Sequence, residues 1–444
     1  MSKVAYLLAA SAVIIAGTYV ISEKITEVPV SKDVVRITYW EKWTDFEYDA
    51  MKAVVDDFNK SQSKIHVDML SMSGIDDKTM MAISAGVPPD VAGLYAAHVA
   101  QYVDEHGLEK LDDYLAAAGM SKKDYIPAYW DIGEYAGHQY ALPSTPASIA
   151  LHFNTDKYKA AGLDPAKPPV TLEELDAYSD KLTKIDKNGH ADQVGFLPNE
   201  PGWWNWAWIT LFGAKYWDGK SKITCNSPEA IEAMTWVQGY PQRYGKSTIQ
   251  AFTQGLGNFS SPQNPFISGK VAMELQGVWM ANFIKRFGQD VQWDAAPFPY
   301  PAKHPEMKNW SIVDADILAI PRGCRHPKEA FEFIRYVQQQ KNMEKLCLLQ
   351  RKHSPLSNVS DEFWKQHANR KIRLFYDLAA TENSIQTPKI GIWSQYESEL
   401  TNAFEAVMLQ AKTPQQAMKD LSDTMQPKLD QYLKRRAMRW SKGL

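Results

Sequence analysis

The chain has 444 residues, of which 45% are hydrophobic and 23% charged, the make-up of a soluble globular body with two or three domains. Its 49 basic and 52 acidic residues leave a formal charge of -3, which excludes a disordered polyelectrolyte and argues against a protein that coats nucleic acid. Basic charge gathers only at the extreme C-terminus (Lys434, Arg435, Arg436, Arg439, Lys442), where it reads as a solvated helix end. Cys225, Cys324 and Cys347 are too few and too scattered for a disulfide framework, and no C-x-x-C offers a zinc site.

Val4 to Ile21 (VAYLLAASAVIIAGTYVI) is an uncharged run that would span about 27 Å as a helix, close to a bilayer core. A short cationic start precedes it, so residues 1–33 are expected to be a signal peptide or an N-terminal membrane anchor plus a linker. Either reading places the rest of the chain in the periplasm or on the outer face of the cytoplasmic membrane. No cysteine stands where a lipid would be attached.

Val34 to Trp40 is rich in β-branched and aromatic residues and predicts a strand. From Glu47 to Lys60 the period changes, and Ala50, Met51, Val54, Val55 and Phe58 share one helical face. A strand at Ile65–Met69, a helix at Lys78–Ala85, a strand at Asp90–Tyr95 and a helix at Ala97–Glu105 complete an alternating α/β series, which predicts a mainly parallel sheet. Ligands of such sheets sit beyond the carboxyl ends of the strands. A second α/β region begins near Tyr140, with strands expected at Ala150–Asn154, Lys270–Leu275 and Asp316–Pro321. Helices are expected at Thr171–Lys184, Ala207–Gly213, Pro228–Val237 and Pro327–Gln340. Thr171 with Glu174, and Thr413 with Gln416, have the spacing of capping boxes. Pro and Gly thicken at 140–147, 165–170 and 297–305, the candidate hinges or loops.

Catalytic signatures such as G-x-S-x-G, H-E-x-x-H, G-x-x-x-x-G-K and G-x-G-x-x-G are absent from the sequence, and the ten histidines are dispersed. No catalytic residue, metal ligand or cofactor is therefore assigned. The aromatic residues say more. Trp203, Trp204, Trp206 and Trp208 lie within six positions. On a helix, Trp203 and Trp206 would share one face and Trp204 and Trp208 the other. Trp40 and Trp43 flank Glu41, and Trp279 follows Gly277. Pyranose rings present flat C–H faces and a rim of hydroxyls, which aromatic platforms and a few carboxylates or amides match. Glu41, Asp45, Asn205, Asp314 and Asp316 are candidates for the polar role.

Several segments in order resemble one family. They are ITYWEKW with the helix ending VVDDFNKS; ISAGVPPDVAGLYAAHVAQYVDEHGLEKLDDYL; YALPSTPASIALHFNTDKYKAAGL with PPVTLEELDAYSDKLTK; FISGKVAMELQGVWM; AAPFPYP; ILAIPRGCRHPKEAFEFIRYV; and TPQQAMKDLSDTMQPKLDQYL. Together they resemble the family-1 extracellular solute-binding proteins of ABC importers, the group that includes maltose- and oligosaccharide-binding proteins. The resemblance implies an α/β, two-lobed periplasmic-binding-protein fold of type II, with hinge-connected lobes and crossing connections. Lobe one would hold 34–143 and 302–350, lobe two 147–298 and 355–444. It also implies that Trp40, Trp43, Tyr95, Trp203, Trp204, Trp206 and Trp279 stack on a sugar. Where the family often has a glycine-rich turn, this chain has Asp314 and Asp316, so side-chain carboxylates replace backbone contacts.

The function so implied is the extracytoplasmic, non-enzymatic substrate-binding component of an ABC importer. It would be a monomer that takes a carbohydrate and presents it to permease subunits, with no nucleic acid and no membrane contact beyond residues 4–21. Two rivals are a membrane-tethered carbohydrate-active enzyme, which needs only two well-spaced carboxylates, and a ligand-sensing subunit of a signalling receptor.

Overall fold

The structure is a computed structural model and describes residues 34–441; the apolar segment at 4–21 and Lys442 lie outside the described residues. Among the described residues no helix is long and apolar enough to cross a membrane.

Alternation builds the first strand. In β1 (Val35–Glu41) the side chains of Ile37, Tyr39 and Glu41 point inward while their neighbours are partly or fully exposed. Helix α1 (Asp45–Ser61) then buries Ala50, Met51, Val54, Val55 and Phe58, the stripe its 3.6-residue period dictates. β2 (Ile65–Ser71), α2 (Ile75–Ser84) and β3 (Val91–Tyr95) follow. β1 lies between β2 and β3 and is parallel to both, with Val35 opposite Ile65 and Tyr39 opposite Val91. The helix expected at 97–105 is a single 3₁₀ turn, Ala96–His98, running into a short α-helix, Val99–Asp104.

The longest strand differs from expectation. β4 spans Ala141–Asn154 and is buried along all 14 residues, whereas the sequence suggested a loop up to residue 147. Pro143 and Pro146 caused that reading, since proline cannot donate to a sheet ladder. The sheet accommodates them beside an irregularity. β4 runs antiparallel to a later strand, β7 (Ser311–Ala319), and the register slips so that Thr145 faces Asp316 while Pro143 faces Ile317. Side chains take up backbone groups there. Gln338 Nε2 donates to the Pro143 carbonyl (2.9 Å) and Ser144 Oγ to the Asp316 carbonyl (3.2 Å).

Beyond Ser148, β4 changes partners. Ile149–Phe153 pair with β5 (Met273–Gly277) and Leu151–Asn154 with β6 (Trp293–Ala296), both antiparallel. The main path of the sheet is β6-β4-β7-β3-β1-β2, with β5 also paired to β4, so the central strands β4 and β7 serve both halves of the molecule.

Two main cores flank this sheet. The first packs Val54 and Phe58 of α1 against Phe333 and Leu346. The second gathers Phe196, Trp208, Phe298 and Trp310 with the helices Pro228–Tyr244 and Trp393–Met408 and the C-terminal helix Pro414–Ser441. Trp310 and Ile312 belong to the second core, Leu356 and Phe363 to the first. Both expected capping boxes form, with Glu174 N–H on Thr171 Oγ1 (3.3 Å) and Gln416 N–H on Thr413 Oγ1 (3.2 Å). The three cysteines are unpaired. The C-terminal helix also reaches back to the first half, where Arg436 Nε stands 3.0 Å from buried Asp104, and the Tyr135 and Tyr432 hydroxyls donate to the same carboxylate.

Trp208 is fully buried among Phe298, Trp236 and Trp310, and its indole N–H donates to the Pro198 carbonyl (3.0 Å). Trp208→Ala should destabilise the protein by about 3–5 kcal/mol, the usual range for emptying a packed aromatic site. The midpoint of chemical unfolding checks this.

Candidate functional site

Where β4 and β7 cross between the two cores, a cavity of about 830 Å³ opens. Its floor is made by the ends of two strands and the middles of two others. β1 finishes at Glu41 and hands the chain to Lys42 and Trp43; β3 finishes at Tyr95; β7 contributes Asp314, Ala315 and Asp316; and β4 contributes Thr145 and Ala147.

The floor is charged and paired. Lys42 Nζ lies 2.9 Å from Asp316 Oδ1 and 3.6 Å from Glu41, and it donates to the Gly93 carbonyl (3.1 Å). Asp316 also accepts from Trp43 Nε1 (2.8 Å) and from the Thr145 hydroxyl. Burial works against the Asp316 charge, but Lys42 and Lys352 outweigh it and hold the carboxyl below the usual aspartate value. Burial likewise opposes the Lys42 ammonium, and Asp316 with Glu41 more than offsets it. Glu41 itself is pushed up by burial; it accepts from the Tyr39 hydroxyl and the Lys42 amide, and lies tight against Gly93, where a Cβ would come within 2.6 Å of Oε2. Lys352 stands 2.9 Å from Glu47 on α1.

The walls are aromatic and come from both halves. Trp43 meets Tyr95 edge-on at 6.1 Å on one side. Opposite, Trp279 lies 6.2 Å from Trp203 and 6.1 Å from Trp204, and Phe259 packs against Trp203 at 4.6 Å and Phe283 at 4.7 Å. Gly277 allows the Trp279 indole to fold back over the strand end, since a Cβ there would meet the ring at 2.4 Å. Tyr95 and Trp203 are 40% and 43% exposed, an unusual cost in open water for rings this large. At the rim Arg286, on the helix Met280–Phe287, forms an ion pair with Asp45 across the gap.

Of the residues named from sequence, Trp43, Tyr95, Trp203, Trp204, Trp279, Asp314 and Asp316 line this cavity, as does Asp45. Four do not. Trp40 lies within β1 and packs against the hydrophobic cluster that includes Leu94, Tyr129 and Val313. Glu41 sits below the floor, engaged by Tyr39 and Lys42. Trp206 is core, against Tyr216 and Trp393, and Asn205 is buried beside it in the chain. The cause is local: helix begins only at Trp208, so residues 203–207 follow a turn in which the two neighbours Trp203 and Trp204 both reach the cavity. Phe259, Phe283, Arg286 and Lys352 line the cavity without having been singled out. The segment MANFIKRF carried a signal, because Phe283 and Phe287 are spaced i,i+4 beside Lys285 and Arg286. Among the described residues no group of His, Cys, Asp and Glu could hold a metal ion.

Concave sites of this make-up, polar below and aromatic at the sides, are typical of proteins that bind small molecules. The comparisons agree on the class. The family model described as a bacterial extracellular solute-binding protein matches residues 53–372, more than half of the chain. The chain belongs to this family. It is similar to the maltotriose-binding protein of Pyrococcus abyssi (21% identical over 265 residues, 60% of this chain and 53% of that one, about half the relative's length). It is also similar to the sn-glycerol-3-phosphate-binding periplasmic protein UgpB of Pectobacterium atrosepticum (20% over 412 residues, 86% and 88%). Among solved structures, mannobiose-bound CpMnBP1 superposes with a TM-score of 0.76 at 27% identity, covering 88% of this chain and 99% of that one. The sugar-binding protein MalE from Xanthomonas citri, at 19% identity and a TM-score of 0.74 (92% and 99%), shows the same two-lobed fold.

The Lys42–Asp316 pair sets a stability test. Lys42→Met leaves a buried carboxylate without its cation and should cost about 3–5 kcal/mol near neutral pH. Because Asp316 has a lowered pKa in the folded state, the wild-type contribution is present above the unfolded value near 4 and is lost as pH falls below it. Denaturant titrations at several pH values should therefore show the gap between the two proteins closing as pH falls below about 4.

Proposed function

We propose that the protein binds a saccharide in the interlobe cavity and presents it to the membrane subunits of an ABC importer. The observation that carries this reading is the set of indole and phenol faces, Trp43 and Tyr95 from one lobe and Trp203, Trp204 and Trp279 from the other, turned toward one space. Sugar rings stack on such faces through their apolar C–H surfaces, while carboxylates at the floor accept from the hydroxyls. Relatives that bind maltotriose or mannobiose support the same class of ligand.

Binding here is a conformational event and not a chemical one. A ligand touching both walls has higher affinity for the closed arrangement than for an open one, and shifts the population toward it by that difference. The Arg286–Asp45 rim pair, half exposed, adds little to closure on its own. The closed form is the signal a permease reads. The protein works as a monomer in the periplasm or on the outer face of the cytoplasmic membrane, released or held there by residues 4–21. Residues Trp43, Tyr95, Trp203, Trp204, Trp279, Asp314 and Asp316 are its ligand contacts.

A thermal-shift screen over neutral oligosaccharides, polyols, amines and phosphates tests the class, since a saturating ligand raises the unfolding temperature by mass action. A neutral saccharide should give the largest rise, and no rise with any saccharide contradicts the proposal. For the sugar so found, Trp279→Ala should weaken affinity about tenfold or more, in line with loss of one stacking platform. Calorimetric titration checks the size of the loss.

A further inference from the structure

Three of the four carboxylates that line the cavity are already held by cations. Asp45 pairs with Arg286, Glu47 with Lys352 at 2.9 Å, and Asp316 with Lys42 at 2.9 Å. The fourth, Asp314, has no ion-pair partner among the described residues; its Oδ1 accepts only the Ala315 amide, at 2.8 Å. Its place is fixed by the sheet, where it stands opposite Ala147 as the two long strands cross between the lobes. An incoming phosphate or carboxylate would therefore find no uncommitted cation here, and would meet a bare carboxylate at the floor.

Resting on the saccharide reading above, we infer that Asp314 is a specificity-determining residue: it accepts hydrogen bonds from the hydroxyls of a neutral sugar unit and bars phosphorylated solutes. The inference separates this chain from its glycerol-phosphate-binding relatives by charge. A carboxylate that accepts two hydroxyl donors makes charge-assisted bonds, and loses that strength when protonated. Burial, and then the neighbouring Asp316, push the Asp314 carboxyl up to about 6. The groups facing it are Asp316 on its own strand, Lys42 after β1, Lys352 after the helix Gln340–Gln350, and Tyr129 on the helix Pro127–Gly133. His353, hydrogen-bonded to Tyr129, is held neutral by burial and takes no part in the change.

The test is calorimetric titration of wild type and Asp314→Asn with mannobiose, mannotriose, maltotriose and sn-glycerol 3-phosphate, at about pH 7.5 and about pH 5, values on either side of the shifted carboxyl. Wild type should bind a neutral sugar, bind it less well at the lower pH, and show no binding of the phosphate ester. Asp314→Asn should bind the same sugar about tenfold more weakly and lose the pH dependence. Because a carboxyl with a raised pKa destabilises the folded state once ionised, the ligand-free variant should unfold at the same or a higher temperature than wild type at the upper pH, which separates lost contact from lost fold. Unchanged sugar affinity in the variant, a pH dependence that survives the substitution, or tight binding of the phosphate ester by wild type would each overturn the assignment of Asp314 alone. Failure of wild type to bind any saccharide in the wider screen would overturn the saccharide reading and this inference with it.

Discussion

The molecule depends on two strands that belong to both of its halves. β4 is buried along its whole length, joined to β7 for its first part and to β5 and β6 for its second. A register slip of one residue in either would move every side chain to the opposite face. The irregularity at Thr145 and Asp316 keeps the two in step while admitting Pro143 and Pro146. Everything at the cavity floor inherits its position from this crossing. Asp316 faces Thr145, Asp314 faces Ala147, and the first strand delivers Lys42 and Trp43 to the same spot.

From that floor the division of labour between charge and aromatic surface follows. The buried Lys42–Asp316 pair orients more than it stabilises, because removing two charges from water costs nearly as much as their attraction returns. Its geometric product is the Trp43 indole, tied by its N–H to Asp316 and flanked by the Lys42 and Lys352 ammonium groups at 5.2 and 5.8 Å from its centroid. The opposite wall is assembled differently. Trp204 is fixed by its N–H to the Leu275 carbonyl (3.1 Å), and Trp279 folds over Gly277, so both indoles are referenced to β5 and through it to β4. Rings fixed in advance lose little freedom when a ligand arrives, which is the energetic advantage of pre-organised sites.

Much of the fold could be read from sequence where a single periodicity rules. β1, α1 and β2 bury one face each, and their alternation or helical stripe is plain in the residue order. β4 was only half legible. A strand buried on both faces has no alternation to betray it, and its prolines imitate a loop. The candidate site was legible by residue type and less so by residue. Aromatic abundance pointed to a cleft, and Trp43, Tyr95, Trp203, Trp204 and Trp279 do line one. Nothing in the spacing of the tryptophan cluster could separate Trp203 and Trp204 from Trp206 and Trp208, because that separation comes from a turn and from the distant Tyr216, Trp393 and Trp310. Lys352 and Glu47, about 300 positions apart, meet only through tertiary packing.

The central claim is that one solute is gripped between aromatic surfaces supplied by both lobes. A crystal structure of the protein with the saccharide that stabilises it most tests this directly. The account predicts sugar rings lying against Trp203, Trp204 or Trp279 on one side, facing Trp43 or Tyr95 on the other, with hydroxyls within hydrogen-bond reach of the β7 carboxylates. Density for the sugar on the outer surface, or within the cavity but touching one lobe only, would contradict it.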